Sequence, residues 1–123
     1  MKNINIQATP ITPEIIFDFN NQTITLKGKS LPEYGGTFYD EVEDKINFFL
    51  LQIENELTIV FNLMYMNTSS NKRILELFKK CKNSKPELKV IWKHLYDDDF
   101  MKEEGETYEK ILNMKFVYQS YHD

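Results

Sequence analysis

A single cysteine, Cys81, leaves this chain of 123 residues with no internal disulfide, which fits a reducing cytoplasm. Histidine is almost as scarce. His94 and His122 are too few and too far apart to suggest a metal cluster, and no metal or cofactor is expected. Glycine and proline number four each, and no stretch of them forms a linker, so one domain over residues 1–123 is expected. No apolar run approaches the length needed to span a bilayer. The opening Met1-Lys2-Asn3-Ile4-Asn5-Ile6 lacks the apolar core of a signal peptide, so a cytoplasmic protein without membrane insertion is expected. An excess of positive charge is also missing. The net charge of -4 argues against nucleic acid as a partner. What is present is ordinary globular material, 41% hydrophobic and 28% charged, in a chain long enough to build a core without staples.

The hydrophobic pattern divides the chain into strands and helices. Ile15-Ile16-Phe17-Asp18-Phe19 and Thr23-Ile24-Thr25-Leu26-Lys27-Gly28 flank a turn-like Asn20-Asn21-Gln22 and predict an antiparallel hairpin. After a loop rich in Pro and Gly, Val42, Ile46, Phe49, Leu50 and Ile53 fall at helical spacing. Leu57-Thr58-Ile59-Val60-Phe61-Asn62-Leu63-Met64 is almost continuously apolar, as in a central parallel strand buried on both faces. Ile74, Leu77, Phe78 and Cys81 mark a second helix, and Leu88-Lys89-Val90-Ile91-Trp92 another strand. Phe100, Met101, Tyr108, Ile111 and Leu112 form the stripe of a third helix, and Met114-Lys115-Phe116-Val117-Tyr118 a last strand. The expectation is α/β: a small, mostly parallel sheet with an N-terminal antiparallel hairpin and about three helices. The helices are expected on one face, with both faces open as an alternative.

Between the apolar strand and the second helix lies Tyr65-Met66-Asn67-Thr68-Ser69-Ser70-Asn71-Lys72. Three consecutive hydroxyls at a strand-to-helix turn are natural helix caps, and the free N–H groups of that turn are a natural seat for a phosphate. Thr68 is therefore either capping chemistry or a phosphorylation switch. Ser69 and Ser70 read as caps and Asn67 as a turn former. Asp97-Asp98-Asp99 reads as a cap for the third helix, and Cys81 and Trp92 as core residues.

Three blocks, in order, resemble the SiaC family of regulatory phosphoproteins, which is related in fold to the STAS domains of anti-sigma factor antagonists. They are Gly28-Lys29-Ser30-Leu31-Pro32-Glu33, the turn from Tyr65 to Lys72, and Trp92 followed by Asp97-Asp98-Asp99, Met101, Gly105-Glu106 and Tyr108. The resemblance implies a STAS-like fold and a non-catalytic signalling protein in which Thr68 is phosphorylated. It implies a GHKL-type serine/threonine kinase and a PPM-type phosphatase as regulators. It also implies a diguanylate cyclase as output, activated by the unphosphorylated form. Tyr65, Asn67, Ser69, Ser70 and Lys72, with Ser30, Pro32 and Glu33, are then the expected partner surface. A STAS-type anti-sigma partner switch is one alternative output. A small-ligand or anion-binding α/β domain, using the same turn to cradle a substrate phosphate, is another, and a constitutive, unmodified adaptor a third.

Overall fold

The computed structural model describes residues 1–32 and 36–123. These form the strands β1 (Ile4–Ile6), β2 (Glu14–Asp18), β3 (Thr23–Ser30), β4 (Thr58–Met66), β5 (Lys89–Leu95) and β6 (Val117–Tyr121), with the helices α1 (Gly36–Gln52), α2 (Thr68–Ser84) and α3 (Asp99–Leu112). The strands make one sheet in sequence order, β1 to β6, antiparallel through β1–β2–β3 and parallel through β3–β4–β5–β6. The predicted hairpin and three helix crossovers are therefore present. The short β1 is an addition: Ile4-Asn5-Ile6 is too brief to carry a strand period, and its pairing with β2 identifies it. The last strand starts at Val117, three residues later than its apolar pattern suggests, and α1 starts at Gly36, which leaves its acidic residues beyond the first turn.

All three helices pack on the same face of the sheet. Phe49 of α1 meets Phe17 of β2 with ring centroids 5.6 Å apart, Phe78 of α2 meets Phe61 of β4 at 6.5 Å, and Tyr108 of α3 meets Trp92 of β5 at 5.0 Å. Crossovers of one hand that always add the next strand on the same side put their helices on one face. The core is continuous from Ile15 to Phe116, with Trp92 fully buried and stacked 3.6 Å from Phe61. The expectation that β4 is buried on both faces does not hold. Ile59, Phe61 and Leu63 are buried, whereas Val60 and Asn62 on the other side are only half-buried, and Met64 is 43% exposed.

The α3 stripe is also narrower than its sequence suggests. Met101, Gly105, Tyr108 and Leu112 are buried, whereas Phe100 is 67% and Ile111 47% exposed. Gly105 is the reason: a Cβ there would lie 2.9 Å from the Trp92 ring and from Tyr118, so the helix turns its bare position onto the indole. The residues at the spacing of Gly105 follow it inward. Trp92 Nε1 donates to the Met101 carbonyl at 2.9 Å and anchors the first turn.

Candidate functional site

The parallel strands deliver their C-terminal ends to one edge of the sheet, and the start of α2 lies there. A β-bulge shapes the approach. Gly28, with φ of +115°, pairs with Leu63, but Lys29 pairs with Tyr65, so β4 carries one residue more than β3. Met64 and Tyr65 are both turned outward, and Met66 returns to the core. The positive φ suits glycine, which opens the first of the three blocks.

Asn67 is the N-cap of α2. Its Oδ1 accepts from Ser70 N at 2.9 Å and from Ser69 Oγ at 3.2 Å, and its Nδ2 donates to the Pro32 carbonyl at 3.1 Å. Its own N–H donates to the Ser30 carbonyl at 2.9 Å. The capping role expected of Ser69 and Ser70 thus belongs to the asparagine. Of the first N–H groups of the helix, those of Thr68 and Ser69 remain without an intrahelical acceptor. Thr68 is the first helical residue and is exposed.

Ser30 and Ser70 were expected on a partner surface, and both are fully buried. They lie beneath the turn because a chain of hydroxyls runs there: Tyr39 OH donates to Ser30 Oγ, Ser30 Oγ donates to Ser70 Oγ at 2.7 Å, and Ser70 Oγ donates to the Ser30 carbonyl at 3.2 Å. Each hydroxyl is satisfied, so the buried polar cluster carries no orphan group. Burial raises the Tyr39 phenol, while its serine partners pull it the other way. Pro32 is buried as well and serves through its carbonyl. Tyr65 is 51% exposed, Lys72 is exposed, and Asn67 and Ser69 are half-buried. Glu33 lies outside the described residues, as do Tyr34 and Gly35 of the turn expected over Tyr34-Gly35-Gly36.

On its other side Thr68 opens into a groove between α2 and α3, lined also by Asn71, Lys72, Leu75, Glu104, Thr107, Tyr108 and Ile111. Asn71 Nδ2 donates to Glu104 Oε2 at 2.9 Å, and Tyr108 OH donates to Asn71 Oδ1 at 2.6 Å. Burial, first, and then the nearby Glu104 charge hold the Tyr108 phenol far above its ordinary value. Sequence reasoning missed Tyr39, Asn71, Glu104 and Tyr108 as parts of this site. Asn71 and Tyr108 stand in the second and third blocks, but Tyr108 reads as packing until its hydroxyl is seen to have a partner, and Tyr39 and Glu104 carry no such signal.

Asp98 caps α3, its Oδ1 accepting from Met101 N at 2.9 Å, in line with the reading of the aspartate run. Cys81 is fully buried, and burial pushes its thiol up to about 12, far from a reactive thiolate. His94 is buried in the sheet, and His122 stacks on Tyr96 with ring centroids 4.1 Å apart. Among the described residues no helix is long and apolar enough to cross a membrane.

The three blocks that are separate in sequence are thus stitched into one place. The first joins the second through Ser30–Ser70 and Pro32–Asn67, and the second joins the third through Asn71–Tyr108. Comparison with known proteins agrees with that convergence. The profile of the SiaC family regulatory phosphoproteins matches residues 6–121. An uncharacterised protein of Pseudomonas aeruginosa strain UCBPP-PA14 is 25% identical over 124 residues, covering 98% of each chain. The crystal structure of apo-SiaC from Pseudomonas aeruginosa superposes with a TM-score of 0.77 at 26% identity, covering 98% of this chain and 100% of that one. SiaC of the same organism, in complex with the diguanylate cyclase SiaD that it activates, superposes with a TM-score of 0.82 at 25% identity, covering 96% and 99%. This chain therefore belongs to the SiaC family of regulatory phosphoproteins.

Proposed function

We propose that this protein is a non-catalytic switch that binds and activates a diguanylate cyclase, and that phosphorylation of Thr68 turns the binding off. The carrying observation is an exposed threonine at the first position of α2, at the mouth of the α2–α3 groove, in a chain similar to a cyclase activator throughout its length. A GHKL-type kinase is the enzyme this reading assigns to the forward step, and a PPM-type phosphatase to the reverse. The partner surface is then Thr68 with Tyr65, Asn67, Ser69 and Lys72, and Glu33 remains part of the proposal. Ser30, Ser70 and Pro32 support it from beneath.

The chemistry of the groove favours a switch by charge over a switch by refolding. A phosphate on Thr68 adds about -1.5 to -2 charges at neutral pH. The N–H groups of Thr68 and Ser69, which have no intrahelical acceptor, and Lys72 attract it, while the Glu104 carboxylate across the groove repels it. The dianion therefore stays hydrated and incompletely paired. A partner packed closely on the turn would have to strip that hydration, which costs several kcal/mol. About 1.4 kcal/mol is already a tenfold change in an equilibrium.

The test is affinity purification with wild type, Thr68→Ala and Thr68→Asp baits, followed by cyclase assays on what is retained. Wild type and Thr68→Ala are expected to hold a diguanylate cyclase and raise its output. Thr68→Asp is expected to lose it by at least tenfold. Equal retention of the cyclase by the alanine and aspartate variants would sink the reading.

A further inference from the structure

Among the described residues, every hydrogen bond between α2 and α3 ends on Asn71, and no ion pair joins the two helices. The other neighbour of α2 is tied differently: Arg73 and Lys80 of α2 reach Asp40, Glu43 and Asn47 of α1. The polar link from α2 to α3 thus runs through one side chain, and that side chain stands three positions after Thr68. Residues so spaced are neighbours on one helix face, with Cβ atoms about 5–6 Å apart.

The Asn71 amide has a fixed orientation. Tyr108 OH, buried in the core, donates to its Oδ1 at 2.6 Å, and its Nδ2 therefore turns to Glu104 Oε2 at 2.9 Å. The core holds the phenol, but little holds the carboxylate. Glu104 is half-buried and makes no ion pair among the described residues, where the Asn71 amide is its side chain's one hydrogen-bond partner. Of the residues lining the groove, Lys72 and Glu104 are the charged ones. Arg73, next in the chain, is already met by Asp40, Glu43 and Glu76.

We infer, resting on the reading that Thr68 is phosphorylated, that Glu104 is the second residue of the switch: a phosphate on Thr68 drives the Glu104 carboxylate off Asn71 and out of the groove, and so carries the signal from α2 to α3. Two anions on either side of one amide repel each other, and the more weakly held one yields. Thr68 is β-branched, with a short side chain that is stiff at χ1. A phosphate on it is drawn to the start of the helix and to Lys72. Glu104 has a longer, unbranched side chain, tied to a neutral amide and partly in solvent already. The carboxylate is the group that moves, and Asn71 Nδ2 is left facing the phosphate. Tyr108 keeps its bond to Asn71 Oδ1, so the helices stay packed and the change is confined to the face of α3 that bears Glu104, Thr107 and Ile111. A partner seated across the groove then meets an altered α3 as well as a charged turn.

The test uses the full chain with phosphothreonine placed at position 68 by an expanded genetic code, which requires neither kinase nor cyclase. The readout is the nuclear Overhauser contact between the Asn71 side-chain amide and the methylenes of residue 104, together with the amide shifts of α3. The contact is expected in the unmodified chain. Phosphorylation is expected to weaken it about threefold or more and to shift the amides of Glu104 and Thr107. Glu104→Gln keeps the acceptor and removes the charge, so in that variant the contact is expected to survive phosphorylation. The contact between Asn71 and the Tyr108 ring is expected to persist throughout. A Glu104 contact undiminished by the phosphate overturns the inference. So does equal loss in Glu104→Gln, which would make the phosphate a competitor for the amide and not a repelling charge, or loss of the Tyr108 contact, which would mean that the helices part. Cyclase retention plays no part in these measurements, so a failure here is distinct from a failure of the Thr68 reading.

Discussion

Gly105 has no room for a side chain, and two opposed effects meet there. Alanine is the better helix former by about 1 kcal/mol. Its Cβ, however, would lie 2.9 Å from the Trp92 indole and from Tyr118. A flexible neighbour would give way, but the indole is fully buried, stacked on Phe61 and hydrogen-bonded to Met101. Overpacking of this kind costs roughly 1–3 kcal/mol, so the steric term wins. Gly105→Ala is expected to lower the unfolding free energy by about 1 kcal/mol, the overpacking cost less the helix gain, read from a urea melt. An unchanged or higher midpoint would mean that α3 shifts freely. In sequence this glycine is legible as part of the third block and as a poor helix former. That it is a contact point depends on a tryptophan thirteen positions earlier, in another element.

The start of α2 shows the same limit at the scale of an element. A run of Asn, Thr and Ser announces a helix start, and α2 begins there. Which of these residues caps it is not written in composition, because all of them are good caps. Asn67 takes the role since its backbone is tied to Ser30 and its amide reaches Pro32, while Ser70 is drawn inward to Ser30 and Tyr39. Asn67→Ala removes the acceptor for Ser70 N and the donor for Pro32 and is expected to cost about 1–2 kcal/mol. Asn67→Asp keeps the acceptor and loses only the tie to Pro32, so it should recover most of that. Amide hydrogen exchange at Ser70 separates the cap from the loop contact. Fast exchange in the alanine variant and near wild-type exchange in the aspartate variant is the expected pattern, and equal exchange in both would refute the cap.

For the whole molecule, the buried phenols set a limit at high pH. Burial raises Tyr39, Tyr108 and Tyr118 above the ordinary tyrosine value, and Cys81 to about 12. A group with a raised folded pKa binds its proton more tightly in the folded state, so its contribution is intact below the unfolded value and disappears above it. Stability is therefore expected to be flat with respect to these groups through neutral pH. It should fall once the pH passes the ordinary thiol and phenol range, near 8.5 for cysteine and about 10 for tyrosine. Urea melts across that range check the sign, and a stability that rises with alkaline pH would contradict the burial of these side chains.

The order of elements, the hairpin, the helix faces holding Val42, Ile46, Ile74, Phe78 and Cys81, and the position of Thr68 at a strand-to-helix turn were all determined by the chain as written. Periods of two and 3.6 and a cluster of capping residues are local signals, and local signals survive without knowledge of the neighbours. Tertiary structure alone decided that β4 is buried on one face and not on both. It likewise decided that Phe100 and Ile111 point outward while Ser30 and Ser70 lie in the interior, and that Tyr108 joins the groove beside Thr68. Each of these depends on which distant residue stands opposite: a bare glycine against an indole, a tyrosine hydroxyl against two serines. Burial is a property of pairs and layers, and a single strand or helix carries only half of each pair.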